Sequence, residues 1–501
     1  MLTREQFQQL YDEGPDAVWA TFETLQLMIE KHQLLFNEQQ KQIEQLSVQN
    51  KQLTVQVKQL QDRLNKDSSN SNSPPSTDGF KKKTVVSLRT SSGRKPGGQK
   101  GHKGYTLPLS DKPDHLITHA PTQCTCCGEN LEQTKESEDP HNTRRQVFEL
   151  PPMNLVITEH RISSKVCPHC QSINQGEFPP QVTQPTQYGH KVKAFATYCL
   201  NFLFLSYERL EIAFSDLFHH SISTSTLFSY QKSAAKVLKP VVEQIKQALC
   251  KSPLVHFDET GFRVNGSLHW LHLGSTSTLT HYTCHERRGK IGMEASGILP
   301  KFTGIAVHDC WKAYFSYKCS HSLCNSHHLR ELKGIYQDTK QNWANEFSLL
   351  LLEGKKAVAE AKSDDKSSLN PVVLLDLFSR YDALLSQGFA ENPYNAEKTG
   401  KRGSPKQSKS YNLLERLKVY RTETTRFLVD FSVPFDNNLA ERDVRMMKVQ
   451  QKVSGCFRTK AGADNFCTIR SYLSTHQKQK TNLLQALEHV FLGTPLLPKF
   501  T

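Results

Sequence analysis

One dipeptide constrains this chain more than any other. Asn265-Gly266 lies between two runs in which apolar and polar residues alternate. Asn-Gly accepts positive φ at both positions, as a two-residue hairpin requires, so the flanking runs are expected to pair as antiparallel strands. The first run begins Leu254-Val-His-Phe-Asp-Glu-Thr260, with Val255 and Phe257 alternating with His256 and Asp258. The returning run is Ser267-Leu-His-Trp-Leu-His-Leu273. A third strand is expected at about 279–284, a short helix at about 291–299, and a buried strand over 304–307 that ends on Asp309. Three antiparallel strands, a helix and a further strand form the element order of a ribonuclease-H-like α/β core.

In such a core one carboxylate sits on the first strand, a second just past the fourth, and a third on a later helix. Asp258, Asp309 and Glu441 occupy those places in that order, Glu441 within Phe435-Asp-Asn-Asn-Leu-Ala-Glu-Arg-Asp443. Converging carboxylates offer the hard oxygen ligands that two Mg2+ (or Mn2+) ions need for in-line attack at phosphorus. Each acid also has a plainer reading. Asp258 can be a strand-end residue, Asp309 a turn residue, and Glu441 the third-position glutamate of a capping box begun by Asn438. Glu259 competes with Asp258, but it shares the parity of Val255 and Phe257, the expected core face.

A chain of 501 residues is expected to hold several domains. Lys and Arg number 63 against 49 Asp and Glu, a formal charge of +14 that points to a polyanionic partner. Residues 1–19 are polar and acidic, unlike a secretory signal, and the longest apolar stretch, 199–205, is too short to span a bilayer. The expectation is a cytoplasmic, nucleoid-associated protein with no membrane partner, whose 13 cysteines are thiols or metal ligands.

Residues 1–65 read as a coiled coil for self-association. Heptads place Phe22, Ile29, Phe36, Ile43, Asn50, Val57 and Leu64 at a, and Leu25, His32, Gln39, Leu46, Leu53 and Leu60 at d. A single Asn50 at a selects a parallel two-stranded register. Residues 66–114 read as a flexible, basic, glycine-rich linker. Within it Lys81, Lys82, Lys83, Arg94, Lys95, Lys100 and Lys103 can exchange counterions along a phosphate backbone.

Residues 115–180 hold Cys124-x-x-Cys127 and Cys167-x-x-Cys170, four thiolates suited to one structural Zn2+. Alternating runs at 145–150 and 155–162, joined at Pro151-Pro152, are expected to form a hairpin that unites the knuckles as a zinc ribbon. Residues 181–250 read as helical and helix-turn-helix-like, with a turn at 219–221 and Ser223 capping the second helix. The core is expected over 251–475, interrupted by a helical insertion at about 340–430, and 476–501 is expected as a tail. Cys319, His321, Cys324, His327 and His328 cluster in sequence and could form a second metal site, although no two-plus-two spacing is clear. Arg445, Lys448 and Lys452 follow Glu441 along one helix face and suit phosphate, or a plain surface helix with internal salt bridges.

Four stretches carry a family resemblance. Pro96-Gly-Gly-Gln-Lys-Gly-His-Lys-Gly104, His256-Phe-Asp-Glu-Thr-Gly261, Phe435-Asp-Asn-Asn-Leu-Ala-Glu-Arg442 and Lys452-Val-Ser-Gly-Cys-Phe-Arg458 resemble transposases of the bacterial insertion-sequence 66 family. The resemblance spans nearly the whole chain. It implies a DDE-type enzyme that acts with a divalent metal on double-stranded DNA, at terminal inverted repeats and target, with Asp258, Asp309 and Glu441 as metal ligands. Cys324-Asn-Ser-His327 resembles the Cys-x-x-His motif between the second and third acids of related transposases, an accessory pair of unassigned duty. Small accessory transposition proteins are implied as further partners. The competing readings are a non-catalytic DNA-binding regulator derived from a transposase, and a ribonuclease-H-like nuclease that cuts without joining.

Overall fold

The computed structural model describes residues 3–64, 70, 101, 107–135, 144–396 and 405–500. The seven basic positions from Lys81 to Lys103 lie outside the described residues. The chain divides into two compact units, Met1–Phe80 with Lys232–Thr501, and Lys81–Gln231. No helix among the described residues is long and apolar enough to cross a membrane.

The chain opens on α1 (Arg4–Asp12), started by a reciprocal capping box between Thr3 and Gln6. It continues in the fifty-residue α2 (Pro15–Leu64). Phe22, Ile29, Phe36, Ile43, Leu46, Leu53 and Leu60 are all exposed along α2.

The second unit holds two short strands, β1 (Ser164–Val166) and β2 (Ile173–Gln175), paired antiparallel. Here the structure departs from the expected ribbon. Residues 144–162 form no strand, and Val147, Leu150, Val156 and Ile157 are each at least 80% exposed. Alternation alone does not make a sheet when no third strand or packing face is at hand. The pair that does form flanks the second cysteine knuckle. Three helices follow: α3 (His190–Asn201), α4 (Tyr207–Phe218) and the start of α5 (Thr224–Lys251). Ser206 caps α4, His219 closes it in the left-handed region at φ 51°, and Ser223 Oγ accepts the Thr226 N–H at 3.2 Å to begin α5.

The first unit is built on a mixed five-stranded sheet. Its strands are β3 (Leu254–Val264), β4 (Ser267–Ser275), β5 (Thr280–His285), β6 (Ile305–His308) and β7 (Ser320–Leu323), in the order β5-β4-β3-β6-β7. The β3–β4 hairpin turns on Asn265 (φ 47°) and Gly266 (φ 75°), as the dipeptide requires. β3 also pairs in parallel with β6, and β6 with β7. Val255, Phe257 and Ala306 pack on one face against Ile245 and Leu249 of α5 and Met293 of α6 (Lys290–Ser296).

After β7 the chain enters α7 (Asn325–Thr339). The insertion follows as α8 (Asn342–Ser363), α9 (Pro371–Glu391), α10 (Lys409–Val419) and α11 (Arg421–Val429). These helices share a core around Trp343, Phe347, Tyr381, Leu413 and Leu414. The chain then returns to the sheet as α12 (Asn438–Ser454), packed on β3 and β4, and α13 (Lys460–Lys478), packed on β5. The expected tail is instead docked: α14 (Leu483–Phe491) buries Ala486, Leu487 and Val490, and His476 Nε2 meets the Leu496 carbonyl at 3.2 Å.

One ion pair fixes α12 and α13 to the sheet. Lys478 Nζ and Ser275 Oγ each lie 2.6 Å from Asp443 Oδ2, and Lys478 also reaches the Thr276 carbonyl at 2.8 Å. Both charged side chains are less than one-fifth exposed. Removing one partner leaves the other charge buried and unpaired, which costs about 3 kcal/mol. Lys478→Met is therefore expected to lower the unfolding free energy in a urea titration by about that amount. An unchanged midpoint would mean that the pair does not hold these helices.

Candidate active site at the strand ends

Strand register brings the first two predicted acids together. β3 and β6 pair with Leu254 opposite Ile305 and His256 opposite Val307. The same offset carried two residues further sets Asp258 level with Asp309, on neighbouring strands and the same face. The β6–β7 register, with His308 opposite Leu323, likewise carries on to Asp309 and Cys324. The acids thus lie where β6 and β7 end, the place at which open α/β sheets gather their functional groups.

The electrostatics agree with this placement. Asp258 is half-buried, and its carboxyl is pushed well above the ordinary carboxylate range by burial, then by the charges of Glu259, Asp309 and Glu441. The Glu259 N–H opposes this by donating to Asp258 Oδ1 at 2.8 Å. Asp309 is pushed up to about 6, by burial first and Glu259 second, against the Trp311 N–H that donates to Oδ1 at 3.0 Å.

Glu441 enters from the first turn of α12. The capping-box reading fails here: the N-cap is Asn437, and Glu441 reaches away from the helix start. Its Oε1 lies 3.4 Å from Arg330 Nη2, 3.9 Å from His327 Nδ1 and 4.0 Å from Cys324 Sγ; its Oε2 lies 3.6 Å from Arg445 Nη2. Burial pushes the Cys324 thiol up to about 12 and the His327 imidazole down to about 3, so both are neutral at pH 7 without a bound ion.

Glu259 faces the other way, as its parity requires. Its side chain is 2% exposed, receives Arg288 at 2.7 and 3.0 Å on Oε1, and receives the Tyr314 hydroxyl at 2.5 Å on Oε2. Arg288 is held in turn over the rings of Trp270 and Trp311, 4.9 and 4.2 Å from their centroids.

Sequence reasoning missed Asn437. Its Oδ1 accepts from His256 Nδ1 at 2.8 Å, its Nδ2 donates to the Phe257 carbonyl at 2.8 Å, and its backbone N–H donates to Cys324 Sγ at 3.1 Å. It joins β3, the end of β7 and the start of α12. The signal was present, since Asn437 lies inside the quoted Phe435-to-Asp443 stretch, but nothing local told it from a cap. Of the basic residues after Glu441, Arg445 and Lys452 are exposed, whereas Lys448 donates to the Gly261 carbonyl and is not free for phosphate.

In the second unit the knuckles are two matching turns. The Gly128 N–H donates to the Cys124 carbonyl at 2.9 Å, and the Gln171 N–H donates to the Cys167 carbonyl at 2.9 Å. Backbone N–H groups of Cys127 and Cys126 lower the Cys124 thiol, and the Ser172 hydroxyl, 2.9 Å away, lowers Cys170. Thiols biased toward thiolate in paired turns fit Zn2+. The two pairs are not gathered within 4.8 Å of one another.

The chain thus combines a mixed-sheet α/β unit that has acids near its strand ends with paired cysteine knuckles. The model for the Transposase IS66 family matches residues 185–465, and that for the zinc-finger binding domain of transposase IS66 matches residues 121–171. The chain belongs to the IS66 transposase family, and it is a multidomain protein with a zinc-finger domain. A model for a family of unknown function matches residues 29–108. No curated protein matches the chain.

The raised Asp309 pKa fixes the sign of a pH effect. Between the ordinary value of 3.8 and about 6 the folded chain keeps a proton that the unfolded chain has lost. This contribution to stability is therefore lost as pH rises through that window. In the absence of divalent ions, the melting temperature of Asp309→Asn minus that of the parent should grow from pH 4 to pH 6. A difference that shrinks over that range would contradict the placement.

Proposed function

We propose that this transposase binds the terminal inverted repeats of an insertion sequence and cuts and joins DNA strands there, with Asp258, Asp309 and Glu441 holding two Mg2+ or Mn2+ ions. The single observation that carries the reading is the level register of Asp258 with Asp309, with Glu441 acting on Asp258 from α12. Asp258, whose proton affinity is raised by burial and then by the charges of Glu259, Asp309 and Glu441, lies in a carboxylate cluster that a divalent cation would relieve. The strand order β5-β4-β3-β6-β7, antiparallel on one side of β3 and parallel on the other, supports a ribonuclease-H-like core.

The chain's own residues have separable duties in this reading. Asp258 and Asp309 supply oxygens from fixed strand ends, and Glu441 supplies one from a helix turn that Asn437 locks to β3. Glu259 orients Arg288 and does not bind the ions. The ions, when bound, activate the attacking oxygen and stabilise the leaving one. Arg445 and Lys452, with the basic segment before the zinc finger, meet phosphate, and α4 with α5 reads the repeat as a helix-turn-helix. The exposed heptad stripe of α2, with Asn50 at one a position, supports a parallel coiled coil that holds two element ends together.

The test is cleavage and strand transfer on an inverted-repeat substrate in Mg2+. Asp258→Asn, Asp309→Asn and Glu441→Gln should each cost roughly a thousandfold or more in rate while repeat binding survives. Glu259→Gln should cost no more than about tenfold. Near-parental cleavage by Glu441→Gln would remove Glu441 from the site, and cleavage without strand transfer in the parent would make the chain a nuclease.

A further inference from the structure

Cys324, His327 and Glu441 bring together three donors of different chemistry. One atom from each lies within 4.8 Å of the other two. Cys324 Sγ and His327 Nδ1 approach the same Glu441 oxygen, at 4.0 and 3.9 Å. The pair sits at the start of α7, one helical turn apart, and Glu441 in the first turn of α12, so all three are positioned by secondary structure.

Two further observations argue for a ligand instead of simple packing. His327 Nδ1 is buried and has no hydrogen-bond partner, a state that folded chains rarely leave unexplained. Cys324 Sγ accepts the Asn437 N–H at 3.1 Å, the outer-shell support that a metal-bound thiolate requires. A thiolate, an imidazole and a carboxylate form a borderline-soft set that suits Zn2+ and not Mg2+, and three protein ligands leave a fourth position open.

We propose that Cys324, His327 and Glu441 bind one Zn2+ ion through Sγ, Nδ1 and Oε1, in addition to the zinc of the finger domain. Binding displaces the Cys324 S–H proton to solvent. Arg330 Nη2, now 3.4 Å from the same oxygen, would swing outward. The zinc would fix Glu441 by one oxygen and leave Oε2 for the catalytic ion. That positioning duty rests on the active-site reading above, but the binding of zinc does not.

Zinc is counted by elemental analysis of the full chain, in a Cys167→Ser background that disables the finger. That chain should hold one zinc per molecule, and adding either Cys324→Ala or His327→Gln should bring it to none. Cobalt substituted in the same background should show a thiolate-to-cobalt band that Cys324→Ala abolishes. His327→Gln nearly preserves side-chain volume and decides the matter if Cys324→Ala does not fold. A Cys167→Ser chain that holds no zinc, or one whose zinc survives His327→Gln, would overturn the site. Cleavage in Mg2+ measured alongside separates the two claims: a parent that cannot cut but keeps this zinc refutes only the catalytic reading.

Discussion

The parallel register between β3 and β6 is the constraint on which the rest of the first unit depends. The paired register ends at His256 opposite Val307, and the same offset carried two residues further sets Asp258 beside Asp309, just past the end of the neighbouring strand. Like charges that close, in a half-buried setting, raise each other's proton affinity and oppose folding. A chain selected only for stability would not keep them there. Asp258 is raised by burial and then by Glu259, Asp309 and Glu441, and Asp309 by burial and then by Glu259, which supports the cation site proposed above.

Holding such a cluster requires anchors that do not depend on the cluster itself. Asn437 ties the entry of α12 to β3 through a histidine and a carbonyl, and to the end of β7 through a sulfur. The Asp443–Lys478 pair ties α12 to α13 and to the edge of β4. On the opposite face, Glu259 is paired with Arg288 and bonded to Tyr314, although its charge still raises the proton affinity of Asp258 and Asp309. Each anchor joins segments at least 29 residues apart, so the site is a property of the assembled unit and of no single motif.

What could be read from the sequence was what local chemistry decides. Asn265-Gly266 specified its hairpin because only such residues take positive φ twice, and the alternation around it fixed which of Asp258 and Glu259 faces the core. Ser223 could be recognised as a cap for the same local reason. The failures were long-range. The runs 145–150 and 155–162 alternate like strands but form no strand pairing among the described residues. Residues 476–501 look like a tail, although α14 finds a face on which to bury Leu487 and Val490. Lys448 has the spacing of a phosphate ligand but is taken by the Gly261 carbonyl, a contact 187 residues away that no periodicity shows.

If Asp258, Asp309 and Glu441 hold a divalent ion as proposed, that ion offsets the charge that Asp309 and Glu441 bring to bear on Asp258. The most direct measurement is the melting temperature of the full chain at neutral pH, with and without Mn2+, for the parent and for Asp258→Asn. Removing one charge should raise the melting temperature of the ion-free chain, and Mn2+ should raise that of the parent but hardly that of the variant. An ion-free variant less stable than the parent, together with a parent indifferent to Mn2+, would contradict the account.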